Sequence, residues 1–360
     1  MKICLIGLNI TNLILASVFS KKNLPVDIYQ NNKIQRFKTK RTIAISAENF
    51  GFLKKISNTN LQSWKTNEIK IYLEKENSKE IINFKNHNKE SFNLIKYSDL
   101  NNVFLKNIEN SKIVKKIKED LSIKRFSNKI KNYDLVINSD NNNFITKNYF
   151  HNKIKKNYKS YAYTFIINHK KINNRTARQI FTNYGPLAFL PLNNSKTSVV
   201  FSCTGNLRSA QDINKLFKKY NTFYQNTKLG DIEKVSLEFS MLRKYTHKNI
   251  LAFGDLLHRI HPLAGQGFNM TIRDIENFSK IVDKKISLGL PIDISVADEF
   301  QQNNKHLNYL YGKAIDGIYE FFRLDSKFNN SLSKPIFTIL NNNSVFKKYS
   351  NLFSDKGLNL

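Results

Sequence analysis

From Asn249 to Asp274 the chain reads NILAFGDLLHRIHPLAGQGFNMTIRD, and this stretch constrains the fold more than any other. Ile250–Phe253 is a short apolar run with the composition of a buried strand. Gly254 and Asp255 close it. A loop containing Pro262 follows, and Gly265-Gln266-Gly267 leads into a helical pattern. Ile272, Ile275, Phe278 and Val282 recur at helical spacing there, and Gly289 and Pro291 mark the stop. An acid thus ends a strand, and a glycine-flanked turn opens a helix. That pair suits a ligand with hydroxyls at one end and an anion-forming group at the other. A carboxylate accepts hydrogen bonds from hydroxyls, and free N–H groups at a helix N-terminus stabilise negative charge.

The N-terminus reads as a βαβ opening. Lys2–Ile6 is a strand, an apolar helix runs through Phe19, and Pro25–Gln30 is the next strand. A dinucleotide fingerprint G-x-G-x-x-G belongs in the first turn of such a unit. Only its first glycine, Gly7, is present; Asn9 and Asn12 stand at the other two positions. Gln30 stands where an acid would bind the adenosine ribose. Asn tolerates left-handed backbone angles, so the turn is expected to survive at Asn9. Asn12 is expected to crowd the helix against the strand.

The pattern GD-x-x-H-x-x-HPLAGQG-x-N-x-x-x-x-D resembles the second flavin-binding signature of the ubiquinone-biosynthesis hydroxylases, a family of FAD-dependent aromatic monooxygenases. The resemblance implies that Gly254 and Asp255 meet the ribityl chain of FAD. It also implies that the loop through Pro262, Gly265, Gln266, Gly267 and Asn269 lies against the isoalloxazine ring. Beside it, Gly7, Asn9, Asn12 and Gln30 resemble a worn form of the family's first FAD motif. Lys40–Ser46, KRTIAIS, resembles the family's R-x-x-A-L-S element. Arg41 then either pairs with the pyrophosphate or flavin edge, or stands exposed at a strand start. DLVINSD, ending at Asp140, resembles the family's D-L-V-I-G-A-D-G element, with Asn141 in place of its last glycine; Asp140 is otherwise a plain turn aspartate. GPLAFLPL, Gly185–Leu192, is close to the family's GPLALLPL. It implies a substrate cavity walled by Pro186, Leu187, Phe189, Leu190 and Pro191.

The expected fold is α/β: a Rossmann-like FAD-binding domain (1–66, 97–150 and 245–290) interleaved with a mainly antiparallel substrate domain (67–96 and 151–244), then a helical region (291–360). Ile69–Leu73, Ile81–Phe84, Tyr161–Asn168, Arg178–Phe181, Ser198–Ser202 and Lys234–Phe239 read as strands of the second domain. Leu121–Ile123 and Asp134–Ile137 read as strands of the first. Ser98–Ile108 reads as a helix capped by Ser98 or Asp99. Ser295–Asp298 reads as a capping box before a long helical stripe from Val296 to Phe322. Breaks at Asn329-Asn330 and Asn341–Asn343 suggest short helices in the tail.

The resemblance implies non-covalent FAD, with NAD(P)H and O2 as co-substrates and a polyprenylated phenol as substrate. It implies no general base, with His261 as a candidate proton relay. Two other readings stand: a flavoprotein acting on another aromatic or isoprenoid compound, and an FAD-free structural subunit of a ubiquinone-biosynthesis complex. His258 and His261 lack a third ligand at metal spacing, so no metal is expected.

The formal net charge of +30 in 360 residues raises nucleic acid or an anionic membrane as partners. The lysines are scattered, however, and no zinc-finger, RNA-recognition or basic heptad pattern accompanies them. No nucleic-acid role is expected. No apolar run approaches the roughly 20 residues of a membrane helix, and the chain opens directly on a strand pattern. Cys4 and Cys203 sit in apolar runs, as reduced core thiols do. The expected location is cytoplasmic, with peripheral contact to the inner face of the membrane.

Overall fold

The structure is a computed structural model, and it describes residues 2–31, 41–74, 80–85, 91–205 and 208–325. The tail breaks at Asn329-Asn330 and Asn341–Asn343 lie outside the described residues. Within them the architecture is α/β, built on three sheets.

The first sheet has six strands, in the order Thr246–His247, Ile250–Ala252, Leu135–Asn138, Ile3–Ile6, Val26–Asn31, Val114–Glu119. Five of them run parallel, with Ile3 opposite both Val26 and Leu135. Parallel strands covered on both faces need side chains that are apolar throughout. ICLI meets that demand throughout and LVIN at all but Asn138, whose buried amide bonds to Thr146 and Asn143; both strands are fully buried. Helices Ile10–Lys21 and Gln266–Ser287 pack with this sheet in one core that also takes in Phe104 and Phe300.

The second sheet has nine strands. Its main path runs His258–Arg259, Glu233–Leu242, Lys153–Asn168, Lys196–Thr204, Gly185–Asn193, Thr176–Thr182, Glu68–Leu73, Ile82–Lys85. One face packs against helix Ala210–Tyr220 through Phe217 and Phe165. The other packs against the long helix Ile294–Asp325 through Tyr311, Ile315, Tyr319 and Phe322. A small third sheet, Thr42–Ser46, Phe92–Lys96 and Trp64–Thr66, joins the two.

Three local expectations are corrected. Leu121–Ile123 is a turn; the edge strand is Val114–Glu119, in which Lys115, Lys116 and Lys118 mask the partly buried Val114 and Ile117. The helix Tyr97–Glu109 has Lys96 at its N-cap position and no side-chain cap, since it leaves the strand directly. The long helix starts at Ile294, with Asp293 rather than Ser295 as the capping acid: Asp293 accepts the Ser295 N–H at 2.9 Å. Asp293 is accordingly held below the usual carboxylate range by hydrogen bonds from Ser295. Both cysteines are free and buried.

Candidate active site

Three neighbouring strands of the parallel sheet deliver the key groups at their carboxyl ends: Ile3–Ile6 leads to Gly7, Leu135–Asn138 to Asp140, and Ile250–Ala252 to Gly254-Asp255. Ligands of open α/β sheets bind in the crevice at this edge, where the connections diverge to opposite sides.

Gly7 carries the positive φ of the first turn, +99°, and a Cβ there would lie 2.9 Å from the Asp140 Cβ. Any side chain would separate the two strands' turns. Asn9 is extended (φ −128°, ψ 171°), which corrects the expectation of a left-handed turn at that position. It is the N-cap of helix Ile10–Lys21: its side chain accepts the Asn12 N–H at 3.2 Å and donates to Ser139 Oγ at 2.9 Å.

Asn12 does not push the helix off the strand. Its amide donates to the carbonyls of Ile6 at 2.8 Å and Gly7 at 2.7 Å, so the extra volume is spent inside the turn. Both asparagine side chains therefore point back into the protein, and neither fills the crevice in front of the helix.

Gly254 lies under that same helix. A Cβ on it would meet Thr11 Oγ1 at 2.8 Å, so only glycine allows the acid-bearing turn to approach this closely. Asp255, next in the chain, is exposed. Tyr97 feels the charges of both Asp255 and Arg41. Burial and the Asp255 carboxylate raise the Tyr97 phenol above its ordinary range, while Arg41 opposes them. The Arg41 carbonyl also accepts the Tyr97 N–H at 2.8 Å. Arg41 itself is exposed at a strand start, and Gln30 is buried at the end of its strand.

The glycine turn at 265–267 is fixed to the small sheet by Asn269. Its side chain accepts from Ser46 N–H and Asn49 Nδ2, both at 2.9 Å, and donates to the carbonyls of Ala44 at 2.8 Å and Gly265 at 3.1 Å. This side chain is thus consumed within the protein. Gln266 is turned away likewise, its Oε1 accepting the Tyr311 hydroxyl at 2.6 Å. Pro262 precedes the short turn of Leu263–Gly265. What this loop offers a ligand is backbone.

Strand alternation divides the GPLAFLPL segment. Leu187 and Phe189 face helix Ala210–Tyr220, packing with Phe201 and Phe217, so the expectation that they wall a substrate cavity is corrected. Leu190 takes the other face, with Ala44, Phe92 and Leu94. Ala44 in turn touches Gly265, whose Cβ would lie 3.3 Å away. Pro186 and Pro191 are buried on the same strand.

The two histidines have separate surroundings. His258 Nε2 lies 2.6 Å from Asp274 Oδ2, in a buried group completed by Asn308 at 3.0 Å from Asp274 Oδ1. His261 is 1% exposed, stacks on Tyr319 at 3.9 Å and meets Tyr158 edge-on. Neither ring nitrogen has a hydrogen-bond partner among the described residues. Burial lowers its pKa to about 3, so it is neutral near pH 7. Among the described residues no His, Cys, Asp and Glu group has the geometry of a metal site.

Sequence reading missed Ser139, Thr11, Asn49 and Tyr97. No spacing rule marks them; they were visible only as neighbours of motif residues.

No family model matches the chain. By sequence it is similar to a mitochondrial ubiquinone biosynthesis monooxygenase of Dictyostelium discoideum, 31% identical over 104 residues, covering 29% of this chain and 21% of that protein. The corresponding protein of Caenorhabditis elegans is 24% identical over 216 residues, 47% and 48% of the two chains. The 3-demethoxyubiquinol 3-hydroxylase of Escherichia coli is 28% identical over 152 residues, 40% and 39% of the two chains. The matched stretches thus span less than half the length of each relative. By structure, the p-nitrophenol 4-monooxygenase of Pseudomonas putida superposes with a TM-score of 0.79 at 10% identity, over 99% of this chain and 98% of that one. A probable FAD-dependent monooxygenase of Pseudomonas aeruginosa gives 0.68 at 14% identity, over 91% and 99%. The chain therefore has the fold of the FAD-dependent aromatic monooxygenases, and the sequence relatives named above are monooxygenases or hydroxylases of ubiquinone biosynthesis.

Proposed function

We propose that this protein is an FAD-dependent monooxygenase that hydroxylates a polyprenylated phenol, with NAD(P)H as electron donor and O2 as the source of the oxygen atom. The observation that carries this reading is the convergence of Gly7, Asp140 and Gly254-Asp255 on one carboxyl edge, with the Gly265 turn held to Ala44 and Ser46 by Asn269. The residues fit the cofactor. The glycine at 254 lets the acid approach the helix N-terminus, and the Asn9 and Asn12 side chains leave the crevice clear.

In this reading the lobe of the parallel sheet holds FAD and the lobe of the nine-stranded sheet faces the phenol. The N-terminus of helix Ile10–Lys21 stabilises the pyrophosphate, and Asp255 accepts the ribityl hydroxyls. Arg41 and Asp140 border the same crevice, with Gln30 at the ribose end. The backbone N–H groups of the Gly265-Gln266-Gly267 turn stabilise negative charge on the pyrimidine end of the ring. Leu190, on the strand face that packs with Ala44, keeps water off the reacting face. When bound, FAD supplies the hydride acceptance and oxygen activation that side chains lack. His261 is the candidate proton relay, its ring nitrogens without hydrogen-bond partners among the described residues, although its burial makes it a weak proton acceptor by itself. A prenylated substrate also entails contact with a membrane or with a delivering protein of a biosynthetic complex.

The test is reconstitution with FAD followed by product analysis. NAD(P)H oxidation coupled to hydroxylation of a prenylated phenol supports the reading. Efficient turnover of a simple hydroxybenzoate, with none of the prenylated phenol, overturns the substrate. A protein that stays colourless and shows no FAD-dependent rise in Tm overturns the enzyme and favours a structural subunit.

A further inference from the structure

Helix Gln266–Ser287 ends in a fully formed cap. Gly289 takes a left-handed φ of +65°, its N–H bonds to the Ile286 carbonyl, and the Leu290 N–H bonds to the Lys285 carbonyl. In this cap the residue after the glycine normally buries itself against the residue five before it. Here that residue is Lys285, so the cap lacks the apolar pair, and Leu290 stays exposed. The turn is fixed by its hydrogen bonds and still presents its aliphatic side chains to solvent. Leu288 is 60% exposed, Leu290 45% and Ile286 42%. Three exposed aliphatics on one ordered turn form a patch of the kind that marks an interaction surface.

The surroundings of the tip are cationic. The C-terminal ends of helices Ile10–Lys21 and Ala47–Ile56 lie alongside it, and a cavity of 420 Å³ opens between the three helices. Val18, Ile56 and Ile286 give the cavity apolar walls, and Lys21 and Lys22 stand in its lining. Lys55, Lys284 and Lys285 flank it. Two carboxylates stand nearby, Asp283 paired with Lys22 and Glu299 with both Lys284 and Lys285, so lysines outnumber them.

We infer that this tip is a docking surface for an anionic lipid bilayer, with Leu288 and Leu290 entering the interface and the lysines meeting lipid headgroups. Aliphatic side chains ringed by lysine suit a bilayer. Protein interfaces instead rely on Trp, Tyr and Arg anchors, and residues 279–293 contain none of these. The cavity accepts an acyl segment beneath a negatively charged headgroup. The tip lies at the opposite end of helix Ile10–Lys21 from Gly7, about 18 Å away along the 12-residue helix, so lipid contact leaves the cofactor crevice open. The surface gives the membrane contact of the proposed function a location, and its chemistry does not depend on FAD.

Sedimentation of the full chain with vesicles of phosphatidylcholine, with and without phosphatidylglycerol, tests this, at low and high salt. Binding is expected only with phosphatidylglycerol and is expected to weaken with salt. The Leu288→Ser, Leu290→Ser double variant should lower partitioning about tenfold. Leu310→Ser with Leu324→Ser, which changes exposed leucines elsewhere, should leave it unchanged. A thiol-reactive, polarity-sensitive dye on Leu288→Cys should report an apolar environment with anionic vesicles, since Cys4 and Cys203 are buried. Circular dichroism and FAD content, measured on every variant, separate misfolding from lost docking. Equal partitioning of the tip variant, equal binding to neutral vesicles, or lipid-free self-association abolished by the tip variant would each overturn the inference. Failure of FAD uptake with intact, tip-dependent vesicle binding would overturn the enzyme and keep the docking surface.

Discussion

The side chain of Asn269 accepts the backbone N–H of Ser46 at 2.9 Å, across 223 residues of sequence. This bond joins the start of helix Gln266–Ser287 to the end of strand Thr42–Ser46, and so ties together two of the segments that define the candidate site. The same side chain serves Asn49, Ala44 and Gly265.

Replacing Asn269 by Ala strands these buried partners. A buried group left without its hydrogen bond costs about 1–3 kcal/mol. Asn269→Ala should lower stability by roughly that amount or more and weaken FAD affinity, because the glycine turn loses its anchor. Thermal melts with and without FAD check both. Unchanged Tm in the apo protein would show that the bracket is dispensable.

The two asparagines of the first turn should respond differently to glycine. Asn9 is a helix cap, and Gly at an N-cap costs only a few tenths of a kcal/mol, roughly. Asn12 donates two buried hydrogen bonds to the turn, so Asn12→Gly should cost about 1–3 kcal/mol. Denaturant titration distinguishes them. A glycine at 12 that proves as stable as the parent would mean that water replaces the amide.

Asp255 is exposed and should contribute little to the fold. Asp255→Ala is expected to keep the apo Tm and lose FAD on gel filtration, each charge-assisted bond to a hydroxyl being worth about 1.5–3 kcal/mol. Equal FAD affinity in the variant and the parent excludes the ribityl role.

His261 predicts an acid-sensitive fold. Burial lowers its pKa to about 3, whereas in the unfolded chain it titrates near 6.5. Between these values the unfolded state binds more protons, so stability falls as pH drops through this window and levels off below it. At pH 5 the loss from this group is about 2 kcal/mol. His261→Phe should flatten that slope while retaining the stack on Tyr319. The difference between the two pH–stability curves is the measurement, and parallel curves would show that His261 is not titrating in this window.

Sequence by itself determined the parallel core and the glycine turns at its carboxyl edge. ICLI is apolar at every position and LVIN at all but Asn138, as strands covered on both faces largely must be, and Gly7, Gly254 and Gly265 each mark a turn that sequence spacing placed correctly. The long helix from Val296 to Phe322 was legible from its repeated apolar residues, but its buried face was not: Val296, Phe300 and Phe322 turn inward as expected, whereas Leu310 and Ile318 are exposed and Tyr311, Ile315 and Tyr319 take their place. Direction was not legible. Strand alternation sends Leu187 and Leu190 to opposite faces, but both are equally apolar in the sequence, and only the tertiary packing shows which of them meets helix Ala210–Tyr220 and which meets Ala44. The role of Asn12 was hidden for a similar reason: whether a polar side chain obstructs a turn or bonds to its carbonyls depends on distances of a few ångströms. Arg41, Tyr97 and Asp255 come from three remote segments, and nothing local in any of them encodes the others. Local pattern fixes which backbone forms a strand or helix, because those hydrogen bonds and apolar periods are short-range. Side-chain partners are set by packing between distant segments, and only the tertiary structure decided them.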